Sequence, residues 1–320
     1  MKPEIIIKDN RGDGHKKRQV VSQPLRVICL SFALVILVGT ILLCLPISSK
    51  SREFTPLVNS MFTATSATCV TGLITYDTFT HWSRFGQIVI LLLIQIGGLG
   101  LVTFSTFFTV IAGKKLGLRE MQLAQESINF GSMANIHKML MGIVGTVLAC
   151  EGIGALLMST AFIPKYGTEG IYISCFLAVS AFCNAGFDLM GDKTGKFSSL
   201  TSFSGNVYLN MVVCILIILG GLGFLTWRDI VTKKTRLKEY AIQTKVILVT
   251  TIILIFVPAI LFFFVEFYDN PLEKRVCMSI FQAVTPRTAG FNTADLSKMS
   301  DAGKTLTMIL MLIGGSPGST

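Results

Sequence analysis

Residues Thr65–Leu73 read TSATCVTGL, and the pattern returns twice, as SAFCNAGF at Ser180–Phe187 and VTPRTAGF at Val284–Phe291. Each is a short apolar segment that runs into a small-residue turn ending in Gly and then an aliphatic or aromatic residue. A repeated, uncharged turn between hydrophobic spans is what a pore needs to strip water from an ion, because backbone carbonyls replace the hydration shell without a fixed charge that would trap it. Gly lets the backbone take left-handed conformations that aim successive carbonyls inward.

The sequence around these turns belongs in a membrane. Of its 320 residues, 51% are hydrophobic and 14% charged, more apolar and less charged than a soluble domain. A hydrocarbon core of about 30 Å takes about 20 helical residues to cross. Val27–Leu45, Phe85–Ile111, Met139–Phe162, Val207–Leu225 and Val246–Val265 are expected to do so, and a sixth span begins near Leu306. The net charge of +10 invites a nucleic-acid reading, but its distribution argues for topology. Seven Lys and Arg precede the first span, four lie in 113–138 and six in 228–245, against eleven in the intervening loops. The positive-inside rule assigns those three basic segments, and the N-terminus, to the cytoplasm. The turns are then reached from outside the cell membrane, and no nucleic acid is expected as a partner. The first span is too long an apolar run for a cleavable signal peptide.

The repeating unit is span, short helix, Gly-ended turn, span. A second small-residue cluster follows each turn: Gly97–Gly100 (GGLG), Gly220–Gly223 (GGLG) and Gly314–Gly318 (GGSPG), beginning 25, 34 and 24 residues after the turn glycine. The middle unit therefore carries an external insertion around Lys193–Ser204. The divisions are a cytoplasmic tail at 1–26, a first pore repeat at 27–112, a linker at 113–138, a second repeat at 139–227, a linker at 228–245 and an incomplete third repeat at 246–320. The helix expected at Ile171–Phe182 is too short to span, so with its turn it is expected to make one dip into the bilayer and back, the alternative being a surface hairpin that lies at the interface. Irregular backbone at that depth is tolerable only when it is buried in protein or lines water.

Each short helix ends at its turn, so its partial negative charge points toward a cation there. Asp77, Asp188, Asp192 and Asp295 follow the turns, where they either raise the local cation concentration or belong to solvated loops. Arg287 lies inside the third turn, and its guanidinium is expected to point sideways. Close helix packing accounts for the clusters at 97–100 and 220–223, whereas Pro317 among glycines and serines breaks a helix in mid-membrane and makes a candidate gate. Glu151 interrupts an apolar run, where a charge costs several kcal/mol unless paired or wet; a structural partner is preferred to ion coupling. Gln95 reads as interhelical glue. The eight cysteines show no disulfide or metal spacing, and His15, His81 and His137 fall in separate segments. No HExxH or P-loop is present, and the GxSxG spelled by Gly314–Gly318 stands in the small-residue cluster after an apolar run, without the strand-to-helix turn such a nucleophile needs, so the chain is not expected to be an enzyme.

The string TATSATCVTGL followed by LLLIQIGGLGLVTF resembles the first repeat of the Trk/Ktr/HKT superfamily of potassium transporters, most similar to its bacterial Ktr membrane subunits. AFCNAGFDL, and TPRTAGFNT with GGSPGST, resemble the second and third repeats, so the similarity covers almost the whole chain. The resemblance implies an all-α polytopic membrane protein with four such repeats around one pore, of which three stand here. It implies potassium uptake, passive or sodium-stimulated, with the ion as substrate and no cofactor in this chain. It also implies a homodimer in membrane lipid and a KtrA-like cytosolic nucleotide-binding regulatory ring. Carried over by position, the filter residues are Thr68, Cys69, Val70, Thr71 and Gly72; Phe182, Cys183, Asn184, Ala185 and Gly186; and Thr285, Pro286, Arg287, Thr288, Ala289 and Gly290. The gate is Gly314, Gly315, Ser316, Pro317, Gly318, Ser319 and Thr320. Gly at 72, 186 and 290 matches the potassium-selective pattern, whereas Ser there would point to sodium. The alternatives are a sodium or unselective cation transporter of the same fold and a non-transporting scaffold. With the fourth repeat missing, the sequence is expected to be a fragment of a longer protein.

Overall fold

The structure is a computed structural model that describes residues 24–100, 136–234, 236–316 and 318–319, with backbone alone for Pro24, Leu25 and 136–140. The N-terminal tail, the part of the second span beyond Gly100, most of the linker at 113–138, Pro317 and Thr320 lie outside the described residues.

Ten helices carry the fold among the described residues. The first repeat is α1 (Pro24–Cys44), α2 (Leu57–Thr68) and α3 (Arg84–Leu99). The second is α4 (Ile136–Tyr166), α5 (Glu169–Phe182) and α6 (Val207–Gly221), followed by α7 (Phe224–Lys233). The third is α8 (Ile242–Leu261), α9 (Leu272–Val284) and α10 (Asp301–Ile313). The middle helices α2, α5 and α9 have 12, 14 and 13 residues. At 1.5 Å per residue these are about 18–21 Å long, too short to cross.

The helices face lipid outward. On α8, Ile242, Val246, Val249, Ile253, Phe256 and Ile260 are all more than half exposed, and their spacing places them on one helical stripe. Leu30, Leu34, Leu37 and Ile41 form the equivalent stripe on α1. Apolar surface of this extent has hydrocarbon as its natural solvent. Polar side chains such as Ser60, Ser180 and Gln282 are buried instead. Three helices, at Arg26–Cys44, Met141–Tyr166 and Ile242–Glu266, are long and apolar enough to span.

The repeats interlock in order. The inner helix α3 of the first repeat packs on the short helix α5 of the second, and α6 of the second packs on α9 of the third. Trp82, Phe162, Phe176, Phe182, Phe187, Phe281 and Phe291 are fully buried in the common core.

Two expected spans are corrected. Phe85–Ile111 is not one helix, because α3 stops at Leu99 and Gly100 takes φ 77°. Val207–Leu225 also breaks, because Gly223 takes φ 81° and α7 leaves α6 at 99°. The GGLG clusters thus do more than pack closely. Like Gly314 at φ 66° in the third repeat, each ends its inner helix with a left-handed glycine, a conformation that L side chains rarely adopt.

Candidate functional site

The three Gly-ended turns have a common backbone design. Val70 and Gly72 take φ 55° and 75°, Asn184 and Gly186 take 56° and 70°, and Thr288 and Gly290 take 78° and 79°. The residue between each pair is not left-handed. Alternating left- and right-handed residues turn successive carbonyls to the same side of the chain, whereas an ordinary strand points them to opposite sides. In the first two turns one bond fixes the return: Thr71 N donates to Ser66 O at 2.9 Å and Ala185 N to Ser180 O at 2.7 Å. The third turn is two residues longer, and there Ala289 N donates to Thr285 O at 2.9 Å while Thr285 Oγ1 reaches Phe291 O at 2.5 Å.

The turns converge. A Cβ built on Gly72 would lie 2.8 Å from Ala185 O, and one on Gly186 would lie 2.7 Å from Ala289 O and 3.2 Å from Gly290 Cα. Gly72, Gly186 and Gly290 therefore stand side by side in chain order; the first two need both their φ and their missing side chain, whereas Gly290 needs its φ, a Cβ there meeting only Gly186 Cα at 3.4 Å. Thr68, Phe182 and Val284 end their helices beneath this arc, so three helix C-termini, each worth roughly half a negative charge, meet at it. One flank is open: Cys69, Thr71 and Leu73 are exposed, whereas Cys183, Ala185 and Phe187 are buried.

The second clusters form the bed on which the turns lie. A Cβ on Gly97 would collide with the Thr68 carbonyl, and one on Gly98 would come within 2.5 Å of Cys183 Sγ. In the third repeat, Gly314 and Gly315 lie against Thr288. The loop after α10 docks on the break of the second repeat: Ser316 N and Oγ donate to Gly221 O at 3.3 and 2.7 Å, and Phe224 N donates to Gly318 O at 3.1 Å. Of the residues expected to form a gate, Gly314 and Gly315 thus lie beside the third turn, while Ser316 and Gly318 are tied to Gly221 and Phe224 of the second repeat; Ser319 follows, its N–H bonded back to Ser316 O.

The four acids differ in setting. Asp77, 5% exposed, caps the helical turn Thr78–His81 by accepting from Phe79 N and Thr80 N, and its Oδ2 accepts from Phe197 N at 3.1 Å. Asp188, 9% exposed, accepts from Met190 N at 2.9 Å. Burial pushes its carboxyl up to about 6, against the Met190 bond and with the charge of Asp77 adding to the rise. Asp192 is exposed and pairs with Lys193 at 3.4 Å. Asp295 is exposed, caps Leu296–Lys298 and pairs with Lys298 at 3.5 Å. Asp77 and Asp188 are thus built into the walls above the turns, and Asp192 and Asp295 lie on the surface. The insertion Lys193–Ser204 braces both neighbours: Phe197 reaches Asp77, while Leu200 N donates to Asn292 O at 2.9 Å and Asn292 N to Ser199 Oγ at 3.1 Å.

Arg287 points sideways, with Nε directed at Gly314 O and Nη2 at Thr251 Oγ1, both at 3.4 Å. Gln95 joins α3 to α4 through a 3.1 Å bond to Glu151 Oε1. All eight cysteines are free thiols, and among the described residues no group of His, Cys, Asp and Glu forms a metal cluster. The alternating handedness, the breaks at Gly100 and Gly223 and the bonds made by the Lys193–Ser204 insertion are not among the expectations from sequence. The recurrence of GGLG in two repeats and of a glycine in the third was the signal for the breaks.

Residues 13–320 match the family described as TrkH, cation transport protein. The chain is 44% identical over 303 residues to the potassium/sodium uptake protein NtpJ of Enterococcus hirae, covering 93% of this chain and 66% of that protein. It is 39% identical over 307 residues to the Ktr system potassium uptake protein B of Bacillus subtilis, with the same coverage of both. It spans just under two thirds of the length of these relatives. The crystal structure of the potassium transporter TrkH from Vibrio parahaemolyticus superposes with a TM-score of 0.69 at 16% identity, covering 96% of this chain and 59% of that one, a likeness of fold. With the family matched along almost its entire length, the chain belongs to the TrkH family of cation transport proteins.

Proposed function

We propose that the protein is the ion-conducting subunit of a Ktr-type potassium uptake system in the plasma membrane, with a cytoplasmic N-terminus. The membrane potential drives uptake, passively or with sodium stimulation. The arc of Gly72, Gly186 and Gly290 carries the reading: three turns of alternating handedness, side by side above three helix C-termini, with the one charged side chain among them, Arg287, turned aside to Gly314 O and Thr251 Oγ1. A dehydrated monovalent cation is the ligand such a backbone suits. A fourth turn on the open flank, beside Cys69, Thr71 and Leu73, would complete the ring. The filter is Thr68–Gly72, Phe182–Gly186 and Thr285–Gly290. The loop from Gly314 onward is the gate, since its bonds to Gly221 and Phe224 are few and lie beneath the filter. The buried Asp77 and Asp188 contribute negative potential at the mouth. Transport, rather than catalysis, is the activity. The lipid-facing stripes of α1 and α8 leave other faces for a homodimer, and nucleotide binding belongs to a separate cytosolic KtrA-like subunit.

The naming of one relative as a potassium/sodium uptake protein favours a second reading, a less selective monovalent cation transporter. Rubidium and sodium fluxes through the full-length protein in potassium-uptake-deficient cells decide between them. Gly186→Ser is expected to relax selectivity against sodium, because a side chain there meets Ala289 O and Gly290 Cα. An unchanged rubidium-to-sodium ratio in a normally abundant variant would sink the filter assignment.

A further inference from the structure

We infer that Glu151 is a positioning residue of the ion filter and sets its discrimination between potassium and sodium. The inference rests on the filter reading above. Glu151 lies at the middle of the 31-residue α4 and is 5% exposed. Its Oε1 gathers two donors from different places: Gln95 Nε2 of α3 at 3.1 Å and Cys183 Sγ at 3.7 Å. Cys183 is the first residue past the end of α5, its N–H bonded back to Val179 O at 2.9 Å, and the next residue, Asn184, is the first left-handed position of the second turn. A displacement of Cys183 therefore passes directly into the carbonyls of Asn184–Gly186.

Cys183 is held on two sides. Gly98 supports its side chain from α3, where a Cβ would lie 2.5 Å from the sulfur, and Glu151 holds the thiol from α4. Gln95 and Gly98 are three residues apart on one face of α3, so one helix of the first repeat touches both the carboxyl and the cysteine it fixes. No Lys or Arg lies within salt-bridge distance of Glu151 among the described residues. An acidic residue at that depth is costly where an apolar residue would not be, so packing alone gives no reason for it. Holding the filter turn at a fixed height does, because cavity size and carbonyl field both depend on where the carbonyls are kept.

Rubidium and sodium influx through the full-length transporter in potassium-uptake-deficient cells tests this, with transporter abundance measured in the same cells. Glu151→Ala should lower the rubidium-to-sodium ratio by about two- to tenfold, the equivalent of one hydrogen bond. Glu151→Gln, which keeps an acceptor of the same shape, should restore a near-native ratio, and Gln95→Leu should give an intermediate one. A native ratio in Glu151→Ala while Gly186→Ser shifts it overturns the inference and leaves the filter reading standing. A native ratio in both overturns the filter reading. If Glu151→Ala does not accumulate, Gln95→Leu and Cys183→Ala decide, since native ratios in both also overturn the inference.

Discussion

Gly98 and Gly221 occupy the same place in two GGLG clusters, yet alanine should have opposite effects at the two. At Gly98 the new Cβ would stand 2.5 Å from Cys183 Sγ and 2.8 Å from its Cβ, about 0.9 Å inside the 3.4 Å at which ordinary contact begins. Cys183 has little room to retreat, since Glu151 lies 3.7 Å from its sulfur. Overpacking of this kind costs about 1–3 kcal/mol, partly offset by the gain of about 1 kcal/mol from replacing Gly by Ala in a helix. At Gly221 the nearest atom to the new Cβ is Asn184 Nδ2 at 3.8 Å, so only a favourable change of up to about 1 kcal/mol remains. The two variants should therefore differ in stability by about 1–3 kcal/mol, with Gly98→Ala also disturbing selectivity through Cys183. Thermal unfolding of the purified full-length protein in detergent, paired with rubidium and sodium flux, reads both effects. Equal unfolding temperatures and equal flux ratios would refute the account of the clusters as beds shaped differently for each turn.

Two further outcomes follow from single contacts. Ser316→Ala removes the 2.7 Å bond to Gly221 O, worth about 0.5–1.5 kcal/mol, and should raise flux by about two- to tenfold where the loop limits it; unaltered flux at equal abundance counts against the latch. Because burial lifts Asp188 from 3.8 to about 6, the folded state keeps a proton that the unfolded chain has lost between those values. Stability from this group is fully present below the unfolded value and is lost as pH rises toward about 6, since folding then requires proton uptake. Asp188→Asn should flatten the decline, and parallel unfolding-temperature curves for the two proteins across that range would contradict it.

Much of the site was legible in sequence because its marks are compositional. A Gly-ended turn after a short apolar run can be recognised three times over, and Ile171–Phe182 lies within the observed α5. The sideways Arg287 and the bridging Gln95 also follow from the cost of leaving such groups unpartnered in lipid. What was hidden is conformational. GGLG inside an apolar run reads as a close-packing surface, and only its recurrence at the same place in two repeats signals that Gly100 and Gly223 take positive φ and end their helices. Asp77 was placed by distance from a glycine, but its setting depends on Phe197, 120 residues away. The same holds for the insertion Lys193–Ser204. Its length is visible in the spacing between repeats, whereas its bonds to Asp77 and Asn292 exist only once three repeats stand together.

That brace also puts a clock on assembly. Asp77 waits for a partner 120 residues further along the chain, which at about 5–20 residues per second emerges about 6–24 s later. For that interval the first turn sits in the membrane with its capping aspartate tied to local backbone alone and its neighbouring turn not yet made. Damage to the brace should therefore be felt first in biogenesis, as nascent chains removed by quality control before the third repeat arrives. The molecules that survive keep the Asp77 charge and would conduct almost normally, so a weakened brace at Phe197 would present as scarcity of transporter rather than as a faulty pore.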